Sequence, residues 1–446
     1  MATSNGLRTS SPPEYGHLAT SHEPSKSDKA HTPGSLRRWK TAMKSFRILR
    51  DLTPEQVDNF MNSYVIYSLD WKHEKAMTET LGLDYQKKVG DCLRDYYSVL
   101  NHMCAIGELE KMYIPPVMHL HANIIANQNL YEESVARELH LPPNPRLLDL
   151  GCGRGRVAAH MTRLTGARVT GINIDHDQIA SAKAYNKHMN FQNDFIRMDF
   201  NDLPLPLPDG EFDGFYNIQA FSLCKNIPEM CRELYRLLKP GARLSLLDWV
   251  KLDAFDDDDA HHQDLMRRIK PLIGAVGTPT PESMAADIES AGFKVLSHSN
   301  ASIDGLQSPL IERADGYFRV ARHGVLGLVR AGILPAHFKT LLNRFALDGK
   351  AFVEADKARL ITTSYHWLAE KPREAPNFTR GVSTGHREAH YMDATSSGSS
   401  AKSAPSSMRS SVLEVKSPSP ANTDHTGISV APPTPDEPTK VEQAIV

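Results

Sequence analysis

Leu147-Leu148-Asp149-Leu150-Gly151-Cys152-Gly153-Arg154-Gly155 is the stretch that decides the fold of this chain. A short apolar run breaks into three glycines at every second position, and a helical stretch from 157 to 164 follows. That order reads as strand, tight turn and helix. Glycine lets the backbone turn sharply and approach a ligand closely, while the helix behind it presents free N–H groups at its start. A nucleotide-like ligand is implied.

Downstream of the loop the alternation repeats. Residues 168–174, 194–198, 214–219 and 244–249 read as strands, and residues 177–189 and 228–238 as helices. Strands alternating with helices at this spacing predict an α/β fold with a parallel sheet and helices on both faces. Lys239-Pro240-Gly241 stops the second of those helices. Thr280 and Pro281 open one more helix, which stops at Gly292 before a strand at 293–297. The segment 309–352 is helical and apolar, and 360–370 reads as a final strand. Upstream, Thr53-Pro54-Glu55 looks like an N-cap, N1 proline and first-turn acid, and 70–139 stays mostly helical. The expected division is a tail at 1–35, an N-terminal helical region at 36–144, the glycine-loop domain at 145–300, an apolar lid region at 301–372 and a Ser/Pro-rich tail at 373–446.

Both tails are poor in apolar residues, so composition predicts that they stay disordered. A net charge of -2 over 446 residues argues for no polyanionic partner and against nucleic acid. Five cysteines without C-x-x-C spacing, and no secretory h-region before them, predict a reducing, cytoplasmic compartment. No run of about 18 apolar residues is present to span a bilayer. The segment 36–50, from Leu36 to Arg50, places Leu36, Trp39, Met43 and Phe46 on one helical stripe among six basic residues and no acid. Two readings stay open: a peripheral contact with an anionic surface such as the endoplasmic reticulum or a lipid surface, or a helix docked on its own domain.

The dinucleotide fingerprint wants its third glycine at position 156, where Arg156 stands. The pattern here, D-x-G-x-G-x-G, is similar to the loop that binds S-adenosyl-L-methionine, with Asp149 placed for the amino end of methionine. The expected cofactor-binding residues are therefore Asp149, Gly151, Cys152, Gly153 and Gly155 on the loop. Asn173, Asp175 and Gln178 stand after the second strand, where ribose hydroxyls are received. Asp199 and Phe200 stand after the third, where adenine sits. Gln219, at the carboxyl end of the fourth strand, is the candidate catalytic residue. His102, His119 and His121 are further candidate bases in the helical layer. Four adjacent acids at 256–259 point in different directions, which favours a solvated loop over a metal site.

Tyr96-Tyr97-Ser98-Val99, LDLGCGRG at 148–155, GINIDHDQI at 171–179, RMDF at 197–200, LLKPG at 237–241 and DWV at 248–250 together resemble the sterol 24-C-methyltransferase family of class I methyltransferases. The resemblance covers roughly residues 96–372. It implies a Rossmann-like sheet with an apolar C-terminal lid, S-adenosyl-L-methionine as cofactor, and methyl transfer to a hydrophobic small molecule: isoprenoid, sterol-like or a specialised metabolite. The chain departs from the family at Cys104-Ala105-Ile106-Gly107-Glu108-Leu109, where an aromatic and acidic segment is expected. It departs again at Ile218-Gln219-Ala220-Phe221-Ser222-Leu223, which lacks an acid and a histidine. Sterol alkylation passes through a cation that such groups stabilise and deprotonate. Their loss predicts an acceptor that is already nucleophilic, held by Ile106, Leu109, Phe221 and Leu223 and entering beneath the segment 309–352. A cyclase that binds the same cofactor without methyl transfer, and a non-catalytic cofactor-binding scaffold, are the alternatives.

Overall fold

The computed structural model of the protein describes residues 35–106 and 110–373. The tails expected at 1–35 and 373–446 therefore lie outside the described residues, apart from Ser35 and Arg373, as does Leu109.

The sheet is built from β1 (Arg146–Leu150), β2 (Arg168–Asn173), β3 (Asp194–Arg197), β4 (Phe212–Ile218), β5 (Leu238–Lys251), β6 (Lys294–Asn300) and β7 (Ile361–Glu370), in the order β3-β2-β1-β4-β5-β7-β6. β1 to β5 pair in parallel. β7 runs antiparallel between β5 and β6, so the expectation of a parallel sheet holds only for its first five strands. The strand that ends the apolar C-terminal region thus belongs to the sheet and not to a lid. β1 is central because Leu147, Leu148 and Leu150 are all buried, as an apolar run covered on both faces must be.

The crossover helices are α6 (Arg156–Thr165), α7 (His176–Met189) and α8 (Ile227–Leu237), followed by α9 (Ala260–Ile273) and α10 (Pro281–Ser290). α10 opens with the expected Thr280 cap, closed into a capping box by Ser283. Residues 256–259 lie outside any helix, as expected, and Asp259 accepts from the N–H groups of His261 and His262 to start α9, which was not expected. Lys239-Pro240-Gly241, expected as a turn, forms the irregular entry of β5, with Gly241 at φ +82°.

Before the sheet come α1 (Ser35–Arg50), α2 (Pro54–Ser63), α3 (Glu74–Leu81), α4 (Tyr85–Ile106) and α5 (Ile124–Glu138). The rings of Phe60, Tyr64, Tyr67, Tyr96 and Tyr97 meet at centroid distances of 5.2–6.0 Å and tie α2 to α4. The Tyr96 hydroxyl donates to the Pro271 carbonyl at 2.6 Å and anchors that layer on α9. α1 packs its apolar side inward: Leu49 is buried, and Phe46 lies 5.9 Å from Phe338. Phe46 is thus used on its own domain, while Lys44, Arg47 and Arg50 stay exposed.

The segment expected as a lid forms two paired helices, α11 (Ser308–Arg330) and α12 (His337–Lys357), with α12 packed on α9. Among the described residues no helix is long and apolar enough to cross a membrane.

Candidate active site

The carboxyl ends of β1, β2 and β4 open into one cleft holding about 970 Å³ of space out to bulk solvent. This is where ligands bind in open α/β sheets. Of the residues expected at the cofactor, Asp149, Gly151, Cys152, Gly153, Asn173, Gln178, Asp199 and Phe200 line it. Gly155 and Asp175 do not, and each has a structural task instead. A Cβ on Gly155 would stand 2.8 Å from the Phe195 ring and 2.9 Å from Ala182, so this glycine lets the loop pack on β3 and α7. Asp175 is the N-cap of α7, its side chain accepting from the Gln178 N–H at 2.7 Å.

The turn itself is made by backbone geometry only glycine adopts readily. Gly151 and Gly153 have φ of +76° and +53°, and a Cβ on Gly151 would lie 2.4 Å from that of Ala220. At Gly153 a Cβ would meet only Oε1 of Gln178, at 3.2 Å, so the missing side chain leaves open space between the loop and α7. Behind the loop, Gly171 of β2 makes room for Cys152: a Cβ there would be 2.8 Å from its Sγ.

Asp149 lies buried at the base of the cleft and accepts from the Tyr216 hydroxyl at 2.9 Å. Burial pushes its carboxyl up to about 7, against the lowering effect of that hydrogen bond. Such a carboxylate suits a cationic ligand group. On the opposite side Asn173 donates to Oε1 of Gln178 at 3.1 Å and accepts from the Asp175 N–H at 3.0 Å, which fixes both amides at the rim. Asp199 accepts from the N–H and the side-chain amide of Asn201, at 2.9 and 3.1 Å, and burial raises its carboxyl above the usual range. A buried acid, an open glycine cradle, two rim amides and a second acid beside Phe200 match the ammonium, ribose and adenine of S-adenosyl-L-methionine in kind.

The cover comes from residues that carry no motif. Leu93 and Tyr97 of α4 and the segment Glu110 to Tyr113 close the cleft, and among the described residues none of α11 or α12 lines it. That segment is strapped down on several sides. Lys111 and His160 reach Oε2 of buried Glu132, both at 2.6 Å, and Tyr113 donates to its Oε1 at 2.7 Å. Burial raises the Glu132 carboxyl, but His160 and Lys111 outweigh it and hold the acid below its ordinary value. Gln219 completes the strap. Its Oε1 accepts from the Ile114 N–H at 2.9 Å, and its Nε2 donates to the carbonyls of Ile114 and Thr363 at 2.6 and 2.7 Å. Both amide protons of Gln219, whose φ is +55°, are thus spent on backbone, and its side chain, expected as the catalytic group, holds the strap.

Asp248 does similar work for the turn Phe221–Leu223, accepting from the N–H groups of Phe221 and Ser222 at 2.7 and 3.0 Å. Burial pushes its carboxyl up to about 6. Of the expected acceptor residues, Leu223 lines the cleft, Phe221 is buried behind it and Ile106 is exposed at the end of α4. The candidate bases lie elsewhere: His102 faces Ser45 at 3.3 Å, while His119 and His121 sit on an exposed turn. The strap and Tyr216 were not foreseen. The one local signal was an aromatic, Tyr216, alternating with Gly214 just before the fourth strand's end.

Residues 148–246 match a family model described as a methyltransferase domain. The chain is 27% identical over 267 residues to the sterol 24-C-methyltransferase ERG6B of Gibberella zeae, covering 55% of this chain and 70% of that protein. It is 25% identical over 341 residues to ERG6A of the same organism, covering 69% and 86%. Among solved structures, the [4+2]-cyclase SpnF aligns with a TM-score of 0.46 at 23% identity, over 59% of this chain and 88% of that one. Sheet, loop and family match define a class I methyltransferase that uses S-adenosyl-L-methionine. Within that class the chain is similar in sequence to the sterol 24-C-methyltransferases, from which it has diverged.

Proposed function

We propose that the protein transfers the methyl of S-adenosyl-L-methionine to a nucleophilic carbon or oxygen of a hydrophobic small molecule, isoprenoid, sterol-like or a specialised metabolite. The observation that carries this reading is the engagement of the cleft's acids. Glu110 pairs with Arg156, Asp149 accepts a hydrogen bond from the Tyr216 hydroxyl, Asp199 holds Asn201, and among the described residues no histidine lines the cleft. Leu93, Tyr97, Met112, Ile218 and Leu223 supply an apolar wall. An acceptor seated there brings its own electron pair, because no lining carboxylate or imidazole stands free to activate it.

In this reading Asp149 holds the ammonium end of the cofactor, and Gly151, Cys152 and Gly153 admit it through their backbone. Asn173 and Gln178 receive the ribose, with Asp175 setting the helix start behind them, while Asp199 and Phe200 receive the adenine. When bound, the cofactor supplies an electrophilic methyl on a sulfonium sulfur, displaced in line by the acceptor. Tyr97, Met112 and Tyr113 then exclude water and hold the acceptor against that methyl. The names of the sterol-acting relatives support a hydrophobic acceptor. The exposed cations Lys44, Arg47 and Arg50 of α1 support a cytoplasmic protein with a weak peripheral contact to an anionic membrane surface, such as the endoplasmic reticulum.

The test incubates the purified full chain with methyl-labelled cofactor and separated sterol and non-sterol lipid pools. Label should appear in a non-sterol acceptor with a mass gain of about 14 Da, one methylene. Label confined to the sterol pool would overturn the preference for an already nucleophilic acceptor. A product isomeric with its substrate, formed without consuming cofactor, would replace methyl transfer by cyclisation.

A further inference from the structure

Arg154 sits on the glycine loop between Gly153 and Gly155, both at positive φ, and lines the cleft. Its Nη1 is buried without a hydrogen-bond partner, and among the described residues no hydrogen bond or ion pair is formed by its guanidinium. The charges around it are already spent. Glu110 is bound by Nε of Arg156 at 2.7 Å, Arg156 itself lies over the Tyr185 ring at 3.8 Å, and Asp149 accepts from Tyr216. Burial, then the like charge of Arg156, pushes the Arg154 guanidinium below its ordinary value. Among the described residues this guanidinium has no counter-ion, and its buried, unpartnered Nη1 is costly for the empty protein until an anion arrives.

We propose that Arg154 is the anion-recognising residue of this cleft and that its partner is a carboxylate brought in by a ligand. The proposal rests on the methyltransferase reading above. A planar guanidinium matches a carboxylate through two parallel hydrogen bonds, which a lysine or an amide cannot reproduce. Two ligands carry that chemistry into the cleft. The methionine end of the cofactor is a zwitterion, and Asp149 on the same loop complements only its ammonium. An acidic hydrophobic acceptor is the other source.

Calorimetry on the full-length chain separates these sources without any turnover, using wild type, Arg154→Gln and Arg154→Lys. The first pair of probes is S-adenosyl-L-methionine and its decarboxylated analogue. The second is farnesoic acid and farnesol, each titrated into protein saturated with S-adenosylhomocysteine. If the cofactor supplies the anion, Arg154→Gln weakens S-adenosyl-L-methionine binding at least tenfold, leaves the decarboxylated analogue within twofold, and Arg154→Lys recovers part of the loss. If the acceptor supplies it, the variant loses farnesoic acid while farnesol and both cofactor probes are unchanged. In either case unliganded Arg154→Gln melts at or above the wild-type temperature, because it loses a cation whose buried Nη1 has no partner among the described residues.

Equal loss for acidic and non-acidic probes, or no loss for any of them, would overturn the proposal. So would a drop of several degrees in the melting temperature of the unliganded variant, which would make Arg154 a structural residue. Wild-type protein that failed to bind S-adenosyl-L-methionine at all would overturn the cofactor assignment first, and this proposal with it.

Discussion

Tyr216 of β4 donates its hydroxyl proton to Oδ2 of Asp149 in β1, 2.9 Å away, at the floor of the cleft. One strand thereby holds the carboxyl that another strand presents, so the acid at the cleft's floor is fixed from beneath and not from the loop. The pairing also sets how the site answers to pH.

Because burial pushes Asp149 up to about 7, the free site is partly protonated at neutral pH and must lose that proton to receive a cation. Cofactor affinity should fall by about tenfold per pH unit below 7 and level off above it. The stability sign is opposite: the folded carboxyl sits above its unfolded value of 3.8, so its contribution is complete below that pH and is lost as pH rises to about 7. Calorimetry in buffers of differing ionisation enthalpy should register proton release at pH 6, and Asp149→Asn should abolish it. Proton release unchanged in that variant would exclude Asp149 as the group.

Gly153 and Gly155 should separate binding from folding. Gly153→Val meets only Gln178 and costs roughly 1–2 kcal/mol for the positive φ, so it should stay folded and lose cofactor affinity. Gly155→Val drives into Phe195 and Ala182 and should cost several kcal/mol, on the order of a core overpacking defect added to φ strain. Thermal melts read beside calorimetry decide this. A folded Gly153→Val protein with unaltered affinity would remove the loop from the site.

Gln219→Leu strips three hydrogen bonds from the strap, taking the side-chain partner from the Ile114 N–H and leaving the Ile114 carbonyl only the longer bond from Gln307 at 3.3 Å. A loss of about 2–4 kcal/mol in stability is expected, with substrate KM rising at least as much as kcat falls. Were Gln219 a proton-transfer group, kcat alone would drop and the melting curve would not move.

Exposed Lys44 and Arg47 on α1 give a salt-sensitive surface contact if they give any. Co-pelleting with phosphatidylserine vesicles should weaken severalfold between low and physiological salt. It should be lost in the Lys44→Glu, Arg47→Glu double variant, without change in melting temperature. Pelleting that ignores both salt and substitution would dispose of the electrostatic account.

Local pattern carried the reading of β1, the glycine turn and the ends of β2 and β3, because a strand end followed by a glycine turn places its residues with little help from distant chain. Asp149, Asn173, Gln178 and Asp199 are therefore where their motifs put them, in the cleft. The reading failed where two elements far apart must meet. Gly155 shares a motif with Gly153 but turns toward Phe195, 40 residues on, and nothing in the loop distinguishes the two. Gln219 looked available because its partners, Ile114 and Thr363, are 105 and 144 residues away. α9 was hidden because four acids and two histidines at its start mask an otherwise amphipathic run, and Pro271 interrupts its end.

β7 enters the sheet between β5 and β6, which do not touch each other through backbone hydrogen bonds. During synthesis, then, Lys294–Asn300 emerges with no strand to pair with and waits for some 60 further residues, including both long helices of the C-terminal hairpin, before Ile361–Glu370 arrives. Until that moment β5 exposes an edge of backbone N–H and C=O groups that only β7 will pair. A ribosome-bound or prematurely stopped chain ending before residue 361 is thus left with an open, sticky seam beside an otherwise complete glycine loop. It is such a chain, and not one merely shorn of its hairpin, that chaperones and proteases would meet.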